Sequence, residues 1–229
     1  MRKGRHVIRK LFCPDLLETG PLSDTLMAVR DGMVNFFVLK APGGLVCIDT
    51  GWRPAVVRRS FAALALNLRD VTAVLLTHLH WDHARCVSLF AHAELYVSAR
   101  EAPPFFMSKP LGTYPLKRMS GDQELLVGGL HVRLVETPGH TPGSVAYVID
   151  DRLLFTGDTL RLKHGKVRPD LAGSVSNGVA LKHSLHKLAG LTGIECLLTA
   201  HSGLSKDTKS AFACWAQAKA ALPEGGAGL

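Results

Sequence analysis

A chain of 229 residues, 47% hydrophobic and 20% charged, has the balance of a globular protein with a real core rather than of a disordered segment. The formal net charge of +8 favours acidic ligands in general. It comes without the aromatic-interleaved basic stripe that stacks single strands, which argues against nucleic acid as partner. No apolar run reaches membrane-spanning length, and the basic start over residues 1–10 leads into Leu11-Phe12-Cys13-Pro14-Asp15 instead of an apolar signal core. The five cysteines stand singly and form no disulfide framework. Cys47, Cys86 and Cys196 lie in apolar stretches and read as small buried hydrophobes, so the expected location is the cytoplasm.

Along the chain, residues 35–40 and 45–48 flank a Pro42-Gly43-Gly44 turn and predict a hairpin ending in Asp49-Thr50-Gly51. Val56, Val57, Phe61, Leu64 and Leu68 recur at helical spacing, with Pro54 suited to a first turn, which predicts a helix over 54–68. The apolar run 73–76 predicts a short buried strand, with a short helix from Ala84. A strand over 94–97 precedes Pro103-Pro104 and an irregular stretch, 105–119, long enough to be a lid or binding loop. Further strands are predicted over 123–127, 130–136, 145–149 and 152–156, with Asp150-Asp151 turning between the last two. A basic, glycine-containing loop is expected over 160–176, then a helix over 180–188 and a strand over 196–199. A helix over 205–222, capped by Ser205, leads to a flexible tail over 223–229. No linker divides residues 1–222, which read as one domain. Strands then a helix, twice over, predict an α/β (α+β) domain of two packed sheets with helices outside.

The most informative segment is Thr77-His78-Leu79-His80-Trp81-Asp82-His83, just past the strand over 73–76. Imidazole and carboxylate are ligands for zinc-like metals. A turn lets His78, His80, Asp82 and His83 converge, whereas strand alternation would send His83 to the opposite face. Three further motifs also follow predicted strands: Pro138-Gly139-His140-Thr141-Pro142, Thr156-Gly157-Asp158-Thr159 and Ala200-His201-Ser202-Gly203. Each alone is as consistent with turn chemistry as with ligation, but together with the first they point to a metal centre.

The ordered set H-x-H-x-D-H, lone His, Asp and final His resembles the metallo-β-lactamase-fold hydrolase superfamily, from about Asn35 to the helix after His201. The resemblance implies an αββα sandwich with a dinuclear centre at one edge. His78, His80 and His140 would bind one metal, Asp82, His83 and His201 the other, and Asp158 would bridge them. Asp49 would support the ligands from behind. Two zinc ions are implied, with iron or manganese as alternatives. They would share a hydroxide that attacks a small acyl substrate, with Asp82 and Asp158 as catalytic carboxylates.

Within the superfamily, Asp at position 158 is similar to glyoxalase II and the lactonases rather than to the antibiotic-hydrolysing enzymes, which usually carry Cys or Ser there. A thioester or lactone hydrolase is therefore expected. A mononuclear-iron persulfide dioxygenase, using His78, His140 and Asp158, is the alternative, and a ribonuclease or β-lactamase of the same fold a further one. The expected substrate walls are Phe105, Phe106, Met107 and Tyr114 for an acyl chain. The cations Arg161, Lys163, Lys166 and Arg168 would suit an anionic group. Arg168-Pro169-Asp170 resembles the equivalent stretch of the glyoxalase II and dioxygenase branches. The oligomeric state is left open.

Overall fold

Strand alternation decides the layering. In β3 (Val34–Ala41), Phe37 and Leu39 point one way and Phe36 and Val38 the other, and all four are buried. A strand apolar on both faces needs a cover on both. The computed structural model, which describes residues 15–102, 113–171 and 175–216, provides it.

The first sheet runs β1 (Gly20–Pro21), β2 (Leu26–Asp31), β3, β4 (Gly44–Ile48), β5 (Val71–Leu75), β6 (Glu94–Ser98) and β7 (Leu116–Met119) in spatial order. It is antiparallel as far as β4 and parallel from β4 to β7. The second sheet contains β8 (Gln123–Val127), β9 (Leu130–Glu136), β10 (Val145–Ile149) and β11 (Leu153–Phe155). After a separate hairpin, β12 (Leu160–Lys163) and β13 (Lys166–Pro169), it adds β14 (Cys196–Leu198) and β15 (Leu204–Ser205).

Ala28, Phe37, Leu39, Ile48 and Leu75 of the first sheet meet Leu134, Tyr147, Phe155 and Leu198 of the second in one inner core. Phe37 and Phe155 meet across it with ring centroids 5.2 Å apart. On the far side of the first sheet, α1 (Pro54–Ala63) seats Val57 and Phe61 against Val29, Phe36, Val38 and Val74. On the far side of the second, α2 (Gly178–Ala189) and α3 (Thr208–Ala216) seat Leu185, Leu188, Ala211 and Phe212 against Val135, Ala146, Val148 and Leu154. This is the expected αββα sandwich. Among the described residues no helix is long and apolar enough to cross a membrane.

Several elements differ from expectation. Helix α1 stops at Ala63 instead of continuing to 68, because Ala65 adopts φ 53° and turns the chain. The loop expected over 160–176 contains the β12–β13 hairpin, turned by His164 (φ 52°) and Gly165 (φ 71°) in the geometry of a tight two-residue loop. Ser205 belongs to β15 and does not cap the last helix; Asp207 does, its Oδ1 accepting the Ser210 N–H at 3.0 Å. Strands β1, β2 and β7 were not expected. Residues 105–112 of the expected lid (105–119), the basic start (1–10) and the expected tail (223–229) lie outside the described residues.

Two hydrogen bonds join the sheets at the edge where the ligand loops begin. Val145 N donates to Thr77 O at 2.9 Å, and the fully buried Tyr147 hydroxyl donates to Leu76 O at 2.9 Å. Tyr147→Phe leaves that carbonyl buried without the hydroxyl, a loss of about 1–3 kcal/mol. Urea unfolding should show a lower midpoint at unchanged slope. A wild-type midpoint would mean the hydroxyl contributes nothing to the join.

Candidate metal centre

All seven expected ligands stand beyond the C-terminal ends of strands at this one edge: 78–83 after β5, His140 after β9, Asp158 after β11 and His201 after β14. The structure gathers them into two groups, His78, His80, His140 and Asp158 in one and Asp82, His83 and His201 in the other. Within each, one potential ligand atom per residue lies within 4.8 Å of the others. The one-turn helix Trp81–Ala84 carries Asp82 and His83 of the second group, while His78 and His80 of the first precede it.

Asp158 stands between the groups. Its Oδ2 lies 3.3 Å from His140 Nε2 and 3.9 Å from His78 Nε2, and its Oδ1 lies 3.2 Å from both His83 Nε2 and His201 Nε2. Asp82 Oδ2 is 3.4 Å from His201 Nε2, and His80 Nδ1 is 2.9 Å from His140 Nε2. Gly157 brings the carboxylate in: at φ 50° it backs onto Thr77, where a Cβ would come within 2.5 Å of Oγ1.

The other nitrogen of three ligand rings is held from behind. His83 Nδ1 meets Asp49 Oδ2 at 2.8 Å, and His201 Nδ1 meets Met33 O at 2.7 Å. His78 Nδ1 meets Thr77 Oγ1 at 3.1 Å. Asp49 also accepts from Thr77 N and Oγ1, so the single Thr77 hydroxyl proton is directed to the carboxylate and Oγ1 accepts from His78. In the neutral rings this pattern puts the proton on Nδ1 and leaves Nε2 of His78, His83 and His201 as the outward donor to a metal. His78 Nε2, His83 Nε2 and Asp158 Oδ1 are buried without a hydrogen-bond partner, the condition a cation would relieve. The donor set fits zinc or iron.

Burial, with the nearby His83, pulls the pKa of His78 well below its ordinary value, and burial likewise lowers His80 and His140. Burial pulls His83 and His201 the same way but is outweighed. Asp158 and Asp49 raise His83 well above the usual value, while Asp158 and Asp82 bring His201 to about 10. Burial opposes ionisation of Asp158, yet His83 and His201 hold its carboxyl well below the carboxylate range. Asp82 is also lowered, burial being outweighed chiefly by its hydrogen bond to His201.

The expected substrate walls fare differently. Tyr114 is 6% exposed and packs in the outer core of the first sheet, because the chain enters β7 directly after it, so it is no open wall. Phe105, Phe106 and Met107 lie outside the described residues. The Arg161 guanidinium is already paired with the buried Asp170 at 2.6 Å, so its charge is committed within the fold. Arg168, its cross-strand neighbour, is exposed. Lys166 donates to Ser210 O and Oγ. Cys86 is buried in the outer core, its thiol pushed up to about 12 chiefly by burial, and belongs to neither ligand group.

An apolar rim went unnoticed in the sequence. Trp81, between two ligands, is 42% exposed and meets Trp52 edge-on with centroids 4.8 Å apart; Met33, whose carbonyl holds His201, is 50% exposed. Buried Asp31 organises this rim, accepting from Trp52 N, Arg53 N and Arg53 Nε while Arg53 stacks on the Trp52 ring. The adjacency of Trp81 to His80 and Asp82 was the available signal.

Residues 29–210 match the metallo-beta-lactamase superfamily, and the chain belongs to it. A probable polyketide biosynthesis zinc-dependent hydrolase of Bacillus velezensis is 31% identical over 118 residues, half of this chain and 49% of that protein. A hydroxyacylglutathione hydrolase of Glaesserella parasuis is 36% identical over 111 residues, 47% of this chain and 43% of that protein. The match thus spans under half the length of these relatives. The crystal structure of a metallo-beta-lactamase family protein from Thermus thermophilus superposes with a TM-score of 0.65 at 21% identity, covering 87% of this chain and 81% of that one. It shares the fold.

Ligation takes neutral imidazole, so filling the second group must expel protons from His83 and His201. Zinc titration calorimetry at pH 7, repeated in buffers of different ionisation enthalpy, should report net proton release. Affinity should fall as the pH is lowered, since protons then compete more strongly. Heats that do not vary with buffer would contradict this.

Proposed function

We propose that this chain is a metal-dependent hydrolase of a small acyl compound, a thioester or lactone, working with two metal ions, zinc foremost. The observation that carries the reading is Asp158, whose two carboxylate oxygens face different ligand groups, so one side chain can span two cations. His78, His80 and His140 would hold the first ion and Asp82, His83 and His201 the second. Zinc there would supply Lewis acidity, bringing the pKa of a nearby water towards neutrality and polarising a carbonyl.

The chain's own residues then place the reactants and handle the proton. Asp82, its side chain 11% exposed, touches both His201 and solvent, which suits it to take a proton from the attacking water and return it to the leaving group. Asp49 orients His83 of the second group directly and His78 of the first through Thr77, without meeting substrate. Trp81, Trp52 and Met33 offer an apolar wall to the acyl portion. Arg168 offers a charge to an anionic substrate. The relatives, a hydroxyacylglutathione hydrolase and a probable zinc-dependent hydrolase of polyketide biosynthesis, favour an acyl substrate and zinc. The buried thiols of Cys47, Cys86 and Cys196 suit a reducing compartment such as the cytoplasm.

Asp158→Asn should cripple turnover and cost metal in elemental analysis, while Asp49→Asn weakens metal binding by about 10–100-fold. Full turnover of Asp158→Asn with two zinc equivalents bound, or oxygen uptake on a persulfide by a single-iron wild type, would overturn the reading. Substrate choice divides further. Arg168→Ala should raise KM for anionic thioesters and spare neutral lactones, and Trp81→Ala should raise KM for both in proportion to acyl length. Equal kinetics for all substrates in both variants would remove both walls from the account. Arg161→Ala is the poorer probe, since it also removes the guanidinium that pairs with the buried Asp170 at 2.6 Å.

A further inference from the structure

Three residues after β6, Glu101 is 8% exposed, and no metal ligand lies on its segment. Its Oε2 accepts from Leu79 N at 3.1 Å, and its Oε1 accepts from Gly143 N at 3.1 Å and Thr141 Oγ1 at 2.5 Å. Leu79 lies between His78 and His80, and Thr141 and Gly143 follow His140. One buried carboxylate therefore grips both loops that carry the histidines of the first ligand group.

The grip is built in. A Cβ at Gly143 would lie 2.7 Å from Glu101 Oε1 and 2.8 Å from its Cγ, so glycine is what allows the carboxylate to reach. Thr141 spends its one hydroxyl proton on Glu101, so the Ser144 hydroxyl donates to Thr141 Oγ1 at 2.7 Å while Ser144 Oγ accepts the Thr141 N–H at 3.0 Å. A glutamine cannot replace this set: three donors converge on Glu101, and an amide offers only one acceptor oxygen.

We propose that Glu101 is a positioning residue for the first metal, fixing His78 and His80 against His140 and placing a negative charge behind three neutral ligands. This rests on the reading that the first group holds a metal. Those histidines bring no charge of their own, whereas the second group contains Asp82. A divalent cation is drawn there by Asp158 and, across the loops, by Glu101.

Competitive zinc titration of the full chain tests this, with two dissociation constants resolved and Asp82→Asn identifying the second. Glu101→Gln should weaken the first constant by about 10–100-fold and change the second by less than about threefold. Cobalt substituted at the first position should show altered ligand-field bands, which a general loss of stability would not produce. Thr141→Val, which removes one of the three donors, should shift the same constant in the same direction by less. It carries the test alone if Glu101→Gln does not fold. Unchanged constants in the folded variants, or equal weakening at both positions, would overturn the proposal. A wild type that binds zinc only at the second position overturns it together with the functional reading. Two tight sites in the wild type and unaltered ones in both variants overturn it alone.

Discussion

The pairing of Asp158 with imidazoles on both of its sides is what the rest of the site is built around. A carboxylate this deeply buried is costly unless charge or hydrogen bonds answer it. His83 and His201 do so on one side at 3.2 Å, and His140 on the other at 3.3 Å. Each of these rings comes from a different strand end. The carboxylate can be met only if β5, β9, β11 and β14 finish at the same level. The two sheets must therefore be locked in register at this edge. The backbone bond from Val145 to Thr77 and the Tyr147 bond to Leu76 supply that lock immediately before the ligand loop begins.

Supports behind the ligands follow from the same constraint. A ring that must present one nitrogen to a buried point needs its other nitrogen engaged, or it will rotate. His78, His83 and His201 are each engaged by a group of a different kind: a hydroxyl, a carboxylate and a main-chain carbonyl. Asp49 serves two of the three, His83 directly and His78 through Thr77, and its φ of 62° shows the backbone bent sharply to bring it there. Such strain persists where surrounding contacts overdetermine it, and here Leu75 O and Thr77 N hold both ends.

The sandwich was legible in the sequence because its central strands are apolar on both faces and bounded by turn residues, as in 35–40 and 145–149. The ligand loops were legible because histidine and aspartate at strand ends are dense there. What escaped is physically distinct. The β12–β13 hairpin alternates Leu, Arg, Leu, Lys with Lys, Val, Arg, Pro around His164-Gly165, but the basic side chains hid the alternation and only one face is buried. Strand β2 joins the first sheet through pairing with β3, a non-local choice that its own six residues do not announce. Asp207 and Ser205 are both competent caps, and pairing of Ser205 with Leu197 decided between them. Tyr114 looked like a wall residue by type; the strand after it turned the ring into the core. Glu101 carries no motif at all. Its role depends on two loops, about 20 and 40 residues distant in sequence, arriving beside it.

Charge ties these pieces together. The described residues include six buried carboxylates, Asp31, Asp49, Asp82, Glu101, Asp158 and Asp170. Asp31 is answered by Arg53 and Asp170 by Arg161, so both are neutralised within the fold. The other four, Asp49, Asp82, Glu101 and Asp158, surround the two ligand groups and have no arginine or lysine pairing among the described residues. Two divalent cations would bring four positive charges to those four negative ones, with the five histidines neutral. Without metal the balance must come from protons, and it is His83 and His201, the rings nearest Asp158 Oδ1, whose pKa values rise. The same acidic framework thus explains the protonation of the metal-free site and its capacity for two cations, and it does so inside a chain whose overall charge is positive. That contrast confines the attraction for cations to the ligand edge and leaves the surrounding surface to favour anions.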